Sequence, residues 1–242
     1  MSGRSVETVD DLGLESARDG GAAPRYVAII SDGNARWAQA RGLSVGEGHE
    51  AAADTVIARA HDALELGVAE LTVFSFSTEN WTRPDEEVQG LISLLAHRVK
   101  RDAPKLHERD IRIRFIGRRE SILPELADAI ACAEELTASN RSMTLFVAFN
   151  YGARAEIADA ATRLRASGEQ DLRAHLYAPD MHDPDVVIRT GGERRLSNFL
   201  LWQCAYSELV FRDELWPDFS REHLESSLAQ FSQRSRRFGG RA

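Results

Sequence analysis

The sequence predicts an α/β domain built around a mainly parallel sheet, and two observations support this fold class. Six short apolar runs of the kind that form buried strands recur along the chain, and segments with helical periodicity lie between most of them. Strands that alternate with helices usually pair in parallel and are covered by helices on both faces. The length of 242 residues suits one such domain or two smaller ones.

The predicted elements follow one another in a regular order. The predicted strands cover residues 26–30, 70–76, 111–117, 143–149, 185–189 and 207–211. A first helix is predicted near Ala35, and longer helices over residues 49–66, 84–107, 121–138, 153–167 and 220–237. Gly67 ends the helix at 49–66, and Pro84 followed by three acidic residues is typical of a helix start.

The first 24 residues differ in composition from the rest. They are rich in Gly, Ser, Asp and Glu and contain no apolar core of a signal peptide, which predicts a disordered leader at 1–24 and a folded domain at 25–242. No apolar run reaches the roughly 18–20 residues of a membrane span.

Charge and cysteine content narrow the class of protein. The net charge of −8 argues against a nucleic-acid partner that binds a broad basic face. Cys132 and Cys204 are the only cysteines and belong to no CxxC pair, which favours a reducing cytoplasm over a disulfide framework.

Three polar segments are predicted to meet at one edge of the sheet. Asp32 follows the first strand, residues 77–81 follow the second, and residues 189–198 follow the fifth. Because ligands of open α/β sheets bind beyond the carboxyl ends of the strands, this edge is the predicted ligand site.

The residue types at this edge suit a polyanionic small ligand. Asp32 can hold a divalent cation such as magnesium, or it can simply cap the helix near Ala35. Six arginines lie in or beside the three segments: Arg36, Arg41, Arg83, Arg189, Arg194 and Arg195. Arginine is suited to phosphate recognition, yet neither a GxxxxGK[ST] loop nor a GxGxxG motif is present.

Two further segments leave alternatives open. Residues 77–83 contain either ligand-binding polar groups or a turn anchored by Trp81. Glu208 is either a second metal ligand or a charge on a helix surface.

Longer motifs extend this pattern over nearly the whole chain. They are "SDGNARWA" (31–38), the Gly-His pair at 48–49, "STENWTRP" (77–84), "NYGAR" (150–154), "DPDVVIRTGGERRLSNFLLWQCAYSEL" (183–209), "LWPDF" (215–219) and "RRFGG" (236–240). Together they resemble the cis-prenyltransferases, the undecaprenyl diphosphate synthase type of isoprenyl transferase, over residues 25–241. The resemblance implies one α/β catalytic domain with a six-stranded sheet, a homodimer, and magnesium-dependent condensation of isopentenyl diphosphate with an allylic diphosphate to give a Z-polyprenyl diphosphate.

The resemblance also implies roles for individual residues. Asp32 matches the catalytic aspartate that positions Mg²⁺, Asn80 matches a residue described as a proton acceptor, and Glu208 matches a second metal-linked carboxylate. A neutral carboxamide is a poor base, so we expect Asn80 to position substrate instead. The matching substrate-binding residues are Gly33, Asn34, Ala35, Arg36, Trp37, His49, Ser77, Thr78, Glu79, Trp81, Arg83, Arg189, Arg195, Leu196 and Ser197.

The chain departs from the family pattern before and after Asp32. Ser31 stands where the family usually has methionine, Ala35 where it has glycine, and Val45 where many members have a diphosphate-binding arginine. Arg41 is a candidate to compensate for Val45. The loss of one charge-assisted contact would cost roughly 1.5–3 kcal/mol.

An apolar product tunnel is implied beside the helix at 84–107. The apolar residues of this helix are Val88, Leu91, Ile92, Leu94, Leu95 and Val99, and most would also suit plain core packing. Ser75 is expected to share a strand face with Ser77 and, being small, favours a medium or long product. The remaining alternatives are a short-chain or irregular prenyl synthase of the same fold and a non-catalytic subunit. Release of an apolar product makes a peripheral membrane contact possible.

Overall fold

The computed structural model describes residues 23–120 and 122–233. The predicted leader falls almost wholly outside these ranges. The motif at 236–240 and the last residues of the helix predicted at 220–237 also lie outside the described residues.

The sheet has the predicted strands and is parallel throughout. In the described part of the chain it contains β1 (Tyr26–Ile30), β2 (Glu70–Ser77), β3 (Ile111–Ile116), β4 (Met143–Tyr151), β5 (Val186–Arg189) and β6 (Glu208–Phe211). Their spatial order is β3-β4-β2-β1-β5-β6, and each neighbouring pair is parallel. The single α/β domain predicted from the sequence is confirmed.

Six helices accompany these strands in the described residues. They are α1 (Asn34–Ala40), α2 (Val45–Glu65), α3 (Asp85–Glu108), α4 (Pro124–Leu136), α5 (Ala153–Ser167) and α6 (Arg221–Ser232). Helix α2 begins four residues before its predicted start, because Ser44 caps it. The Ser44 hydroxyl accepts from the N–H of Glu47 at 3.2 Å, and the Glu47 carboxylate accepts from the N–H of Ser44 at 2.8 Å. Across residues 23–120 and 122–233, no helix combines the length and apolar character needed to cross a membrane.

Both faces of the sheet are buried. Val27 and Ile29 of β1 point to the face covered by α2, α3, α4 and α6, and Ala28 points to the face covered by α5 and the segment containing Phe199 and Leu200. Two-sided burial explains why the strands read as continuous apolar runs rather than as alternating ones.

The strand register brings the three polar segments together at the carboxyl edge of the sheet. Ile30 at the end of β1 pairs with Arg189 at the end of β5, and Ser77 at the end of β2 pairs with Tyr151 at the end of β4. The residues that follow these strands therefore share the carboxyl edge of the sheet.

Candidate active site

Asp32 follows β1 at this edge, and its backbone is held on both sides. Its N–H donates to the Thr190 hydroxyl at 2.9 Å, and its carbonyl oxygen accepts from the same hydroxyl at 3.0 Å and from the N–H of Trp216 at 2.9 Å. The side chain remains 31% exposed. A carboxylate on a rigid backbone with partial access suits a group that meets a ligand.

Two arginines contact the Asp32 carboxylate. Arg189 Nη2 donates to Oδ2 at 2.8 Å, and Arg36 Nη2 lies 3.4 Å from Oδ1. The Arg189 side chain is only 4% exposed, and its Nη1 donates to Ser197 Oγ at 2.8 Å and to the carbonyl of Arg195. The structure decides against the capping alternative, since Gly33 occupies the cap position of α1 and no side chain caps that helix.

Gly33 lets the chain turn closely from β1 into α1. Its φ is +106°, and an added Cβ would lie 2.7 Å from Leu215 Cδ2. The turn aims α1 at the loop after β5, where Arg36 Nη1 donates to the carbonyl of Gly191 at 2.8 Å. Asn34 Oδ1 is buried without a hydrogen-bond partner among the described residues, whereas Ala35 is exposed. A buried acceptor without a partner is uncommon and makes Asn34 a candidate ligand contact.

Trp37 and Arg41 form a cluster with Asp218 on the far side of α1. Trp37 Nε1 donates to Asp218 Oδ1 at 2.7 Å, and Arg41 Nη2 lies 3.0 Å from both carboxylate oxygens. The Arg41 guanidinium also lies 4.4 Å from the centre of the Trp37 ring. Arg41 is thus already paired in this conformation and does not simply replace the arginine missing at Val45, an exposed residue at the start of α2.

His49 lies one turn into α2 and lines a cavity beside the site. Its Nε2 is buried without a hydrogen-bond partner among the described residues. Burial, and next the neighbouring Arg83 guanidinium, lower the pKa of His49 below its usual value. At Gly48 an added Cβ would come within 2.6 Å of the Asn34 carbonyl oxygen, so this glycine lets α2 pack closely on α1.

The segment after β2 forms a short 3₁₀ helix, Thr78–Thr82, which Ser77 caps. The Ser77 N–H donates to Asn80 Oδ1 at 2.9 Å, and its hydroxyl accepts from the N–H of Glu79 at 3.1 Å. Burial alone would raise the pKa of Glu79, but hydrogen bonds from Ser77 and Asn198 outweigh it and lower that pKa. The side-chain carbonyl oxygen of Asn80 is thus already bonded to the Ser77 N–H.

Trp81 and Arg83 complete this segment. Trp81 Nε1 donates to Asn150 Oδ1 at 2.7 Å, and its ring meets Phe76 edge-on at 5.3 Å. Arg83 donates to Glu87 on α3 at 2.9 Å. Trp81 thus anchors this turn, as one of the two alternatives predicted.

The loop after β5 carries Arg195, Leu196 and Ser197. Ser197 and Asn198 both have positive φ, 47° and 63°, a conformation that costs energy for residues other than glycine. Arg195 is exposed and pairs with Glu193 at 2.6 Å, while Leu196 packs against the apolar face beside α5. The loop presents Arg195 and Ser197 near Arg189.

Glu208 lies at the amino-terminal ends of the strands, opposite the carboxyl ends where Asp32 lies. It begins strand β6 and pairs with Val186 at the start of β5, whereas Asp32 lies beyond the end of β1. Glu208 is therefore on a strand rather than a helix, and one chain does not bring it together with Asp32.

A cavity of about 140 Å³ opens beside Asp32 and runs between α2, α3 and the sheet. Ser31, Asn34 and His49 line it near the site, and Leu91, Leu94, Leu95, Val99, Ala103 and Leu106 line it along α3. Val88 and Ile92 instead pack in the core. From Leu91 to Leu106 the helix rises roughly 22 Å. Apolar space thus lies beside the helix where the resemblance implies a product tunnel.

Ser75 lines this cavity. Its position was expected from regular alternation along β2, in which Ser75 and Ser77 share one face. The pairing of β2 with β4 shifts register between Phe74 and Phe76 and again before Ser77. The assumption of uninterrupted alternation between Ser75 and Ser77 is therefore wrong, because a bulge changes the direction of successive side chains.

The site offers magnesium one carboxylate ligand, Asp32. No group of three or more His, Cys, Asp or Glu side chains among the described residues could hold a metal by itself. Magnesium often binds through one or two carboxylates and takes its other ligands from substrate phosphates and water. Asp32, partly exposed among arginines, suits that mode.

A match to a protein-family model shows which family the chain belongs to. The model for the undecaprenyl diphosphate synthase family of prenyltransferases matches residues 30–239. The chain belongs to this family. It is a prenyltransferase, with the cis-prenyltransferase type of activity that its motifs indicated.

Similar sequences span almost the whole of this prenyltransferase. It is 49% identical to isoprenyl transferase 2 of Bradyrhizobium diazoefficiens over 229 residues, which is 90% of this chain and 91% of that one. It is 45% identical to the isoprenyl transferase of Thermotoga maritima, with 90% of this chain and 97% of that one covered.

Solved structures share the fold of this prenyltransferase. Lavandulyl diphosphate synthase from Lavandula x intermedia, in complex with dimethylallyl diphosphate, superposes with a TM-score of 0.86 at 34% identity, covering 90% of this chain and 98% of that one. A probable undecaprenyl diphosphate synthase from Campylobacter jejuni gives a TM-score of 0.78 at 29% identity, with 90% and 99% covered.

Sequence reasoning assigned no role to several residues that shape the prenyltransferase site. Asn198 links two loops, since its Nδ2 donates to Glu79 at 2.8 Å and its Oδ1 accepts from the N–H of Arg154 at 2.8 Å. An added Cβ at Gly152 would come within 2.5 Å of Thr78 and 2.8 Å of Asn198. Gly152, directly after β4, and Asn198, in the loop after β5, were the available signals, since such residues favour tight turns.

The contacts of Asn80 yield a prediction about its role. We expect Asn80→Asp to lower turnover by about tenfold or more, because a second anion beside Glu79 repels a diphosphate by at least about 1.4 kcal/mol. The aspartate can still accept from Ser77, so the backbone should hold. Steady-state kinetics checks this, and a variant as active as the wild type would instead support a base at position 80.

The lowered pKa of His49 yields a prediction for pH dependence. Between its folded pKa and the unfolded value near about 6.5, the unfolded chain binds more protons, so stability rises with pH through that window. We expect the free energy of unfolding to fall as pH drops below about 6.5, with a slope per proton of at most about 1.4 kcal/mol per pH unit.

A comparison of two variants separates the contributions of His49 and His61 to this pH dependence. Burial and the nearby Arg109 also lower the pKa of His61, which adds a slope of the same sign. Denaturant unfolding at several pH values should show a flatter slope for His49→Gln, with the His61 contribution given by His61→Gln. An unchanged slope in His49→Gln would contradict the assignment.

Proposed function

We propose that the chain is a magnesium-dependent cis-prenyltransferase that condenses isopentenyl diphosphate with an allylic diphosphate into a medium or long Z-polyprenyl diphosphate. The observation that carries this proposal is the junction at Asn34 and His49. Both residues belong to the polar edge around Asp32, and both line the apolar cavity along α3. A ligand with a charged diphosphate head and an apolar tail matches such a junction.

The polar edge offers two groups of residues for two diphosphates. Gly33, Asn34, Ala35, Arg36, Trp37 and His49 would receive the allylic diphosphate, with its tail directed into the cavity. Arg189, Arg195, Leu196 and Ser197 would receive isopentenyl diphosphate, and Ser77, Thr78, Glu79, Trp81 and Arg83 would close the site from the β2 side. Arginine donors are suited to phosphate oxygens because they bind two at once.

The first step of the proposed reaction is loss of the allylic diphosphate. Arg36 would stabilise the charge that develops on the departing oxygens, and preorganised donors of this kind supply much of the catalysis in charge-forming steps. Magnesium held by Asp32 would add Lewis-acid neutralisation of the same oxygens. The buried Arg189 keeps the Asp32 carboxylate oriented before substrate arrives.

The second step is attack by the double bond of isopentenyl diphosphate. A new carbon–carbon bond forms at the allylic carbon, and one proton passes to an oxygen of the departed diphosphate to give the Z double bond. Arg189, Arg195 and Ser197 hold the homoallylic diphosphate, so the two reacting carbons meet in a fixed orientation. Asn80 positions a substrate rather than taking the proton.

A homodimer is part of the proposal. Strand β6 is an edge of the sheet, and the exposed large apolar residues Leu201, Trp202, Tyr206 and Phe211 lie just before or on it. Exposed apolar clusters of this kind commonly mark interfaces. A role for Glu208 at a metal bound by Asp32 would require a second copy of the chain, since one chain separates the two carboxylates.

Sedimentation velocity tests the dimer. We expect the wild type to sediment as a dimer and Trp202→Asp to shift it toward monomer, because a buried charge disfavours the interface. A wild-type chain that sediments as a monomer at micromolar concentration would refute this part of the proposal.

The proposed location is the cytoplasm, with a peripheral membrane contact for release of the apolar product. Cys132 and Cys204 are free thiols, which is consistent with a reducing compartment. Cell fractionation with antibody detection tests both points. Recovery of the protein only from an oxidising compartment would refute the first.

One alternative has specific support. The likeness to lavandulyl diphosphate synthase, solved with dimethylallyl diphosphate, keeps a short-chain or irregular prenyl synthase in consideration. The cavity along α3 favours elongation, because it offers apolar space to a growing tail.

The direct test uses the purified protein with labelled isopentenyl diphosphate. We expect label in an extractable lipid diphosphate only when Mg²⁺ and an allylic diphosphate are both present. Chelation of the metal should stop incorporation, and its readdition should restore it. Incorporation that continues without divalent metal would contradict the role given to Asp32.

A further inference from the structure

Two charged residues line the otherwise apolar depth of the cavity. Arg98 and Asp102 stand one turn apart on α3, and each side chain is only 5% exposed. Among the described residues that line the cavity, the other polar side chains are Ser31, Asn34, His49 and Ser75. Because α3 runs from the carboxyl edge toward the start of β3, Arg98 lies about 10 Å deeper than Leu91.

A network of ion pairs holds Arg98 in place. Its Nε lies 2.9 Å from Asp102 Oδ2, and its Nη2 lies 2.6 Å from Asp54 Oδ1 and Nη1 3.4 Å from Glu50 Oε2, both on α2. Arg101 and Lys105 contact the other oxygen of Asp102 at 2.9 Å. Movement of Arg98 would break its contacts with Asp102, Asp54 and Glu50 together, although Arg101 and Lys105 would still pair with Asp102.

This network separates the cavity from solvent. Glu50 and Asp54 are exposed on the outer side, whereas Arg98 is buried and borders the cavity on the inner side. Arg98 therefore bridges the seam between α2 and α3. An apolar chain gains free energy by leaving water for apolar contacts, and a fixed guanidinium with its carboxylate offers no such gain.

We propose that the Arg98–Asp102 pair limits how far an apolar product extends into the cavity and so sets product length. The inference rests on the proposed elongating activity. Above the pair, a growing chain lies against Leu91, Leu94 and Leu95. Growth past the pair requires the chain to lie against buried charge or to displace it.

Arg101 provides a matched control. It lies on the same helix and contacts the same carboxylates, Asp54 at 3.2 Å and Asp102 at 2.9 Å, but it does not line the cavity. The experiment compares product lengths, by mass spectrometry, of the wild type, Arg98→Ala and Arg101→Ala at equal turnover. A double variant, Arg98→Leu with Asp102→Leu, removes both charges together and serves if Arg98→Ala does not fold.

The expected result is a shift to products longer by one or more isoprene units in Arg98→Ala and in the double variant. Arg101→Ala, and Arg98→Lys, which keeps the charge, should give products of wild-type length. Unchanged lengths in every folded Arg98 variant would overturn the proposal. Equal lengthening in Arg98→Ala and Arg101→Ala would also overturn it, since the pair would then act only by joining α2 to α3. A wild-type protein that makes no Z-polyprenyl product would instead refute the proposed function.

Discussion

Asp32→Ala is expected to lower turnover by at least about 10²–10³-fold, the range found when one preorganised charge-stabilising group is removed. The carboxylate is the metal ligand in the proposed site, and the described residues contain no metal-binding cluster that could take its place. Asp32→Asn should lose nearly as much activity, because it keeps the hydrogen bond from Arg189 but not the charge.

Stability should change less than activity in these variants. The Asp32 side chain lies at the rim of the site, and Arg189 keeps its contacts to Ser197 and the Arg195 carbonyl when the carboxylate is removed. We expect unfolding free energies within about 1–3 kcal/mol of wild type. Denaturant unfolding and single-turnover assays measure the two effects separately.

A matched carboxylate serves as the control for Asp32. Asp159 on α5 is 28% exposed and accepts from Arg118 at 2.8 Å, so its exposure and partner resemble those of Asp32. Asp159→Asn should keep activity within a few-fold of wild type. Near-normal turnover in Asp32→Ala would show that the carboxylate does not hold the metal.

Arg189→Ala is expected to damage both stability and activity. Asp32 and the loop at 195–198 would both lose the buried guanidinium that joins them, and each lost charge-assisted hydrogen bond costs about 1.5–3 kcal/mol. Arg189→Lys should be more stable than the alanine variant yet remain poorly active, because an ammonium group cannot hold Asp32 and Ser197 in the same fixed fork.

The nearby exposed arginine should behave differently. Among the described residues, the Arg195 side chain forms an ion pair with Glu193, and it lies on the surface of the loop. Arg195→Ala should therefore raise the KM for isopentenyl diphosphate with little change in stability, since exposed ion pairs contribute little to folding. Equal KM values in Arg189→Lys and the wild type would contradict the binding role of Arg189.

The strands were predictable because both faces of the sheet are buried. Runs such as residues 26–30 and 143–149 are apolar at consecutive positions, and such runs have few alternatives in an α/β chain. Local signals also predicted the starts of α3 and α5 within one residue. The start of α2 was placed too late because the capping pair Ser44 and Glu47 was not recognised.

The convergence of the site segments followed from topology, but their internal contacts did not. Sequence order implied that Asp32 and Arg189 share an edge, since parallel strands align their carboxyl ends. It could not show that Arg189 is the buried arginine or that Arg41 is held by Asp218, because these contacts join residues more than 150 positions apart. The placement of Glu208 required the register of β6.

The bulge in β2 illustrates a further limit. Alternation predicts side-chain direction only where the ladder is regular, and the shift near Phe74 and Phe76 depends on how β2 fits β4. No local residue pattern in β2 marks this bulge. Likewise, Arg98 reads as a surface charge on an amphipathic helix until the carboxylates of α2 are placed beside it.

We propose that the residues at the edge around Asp32 elongate an allylic diphosphate whose tail occupies the cavity along α3. The most direct measurement is the chain length and double-bond geometry of products formed from isopentenyl diphosphate with dimethylallyl, geranyl and farnesyl diphosphates offered separately. We expect a ladder of medium or long products with Z double bonds, formed despite valine at position 45. A single short product, or condensation without isopentenyl diphosphate, would contradict it and make Val45→Arg the first variant to examine.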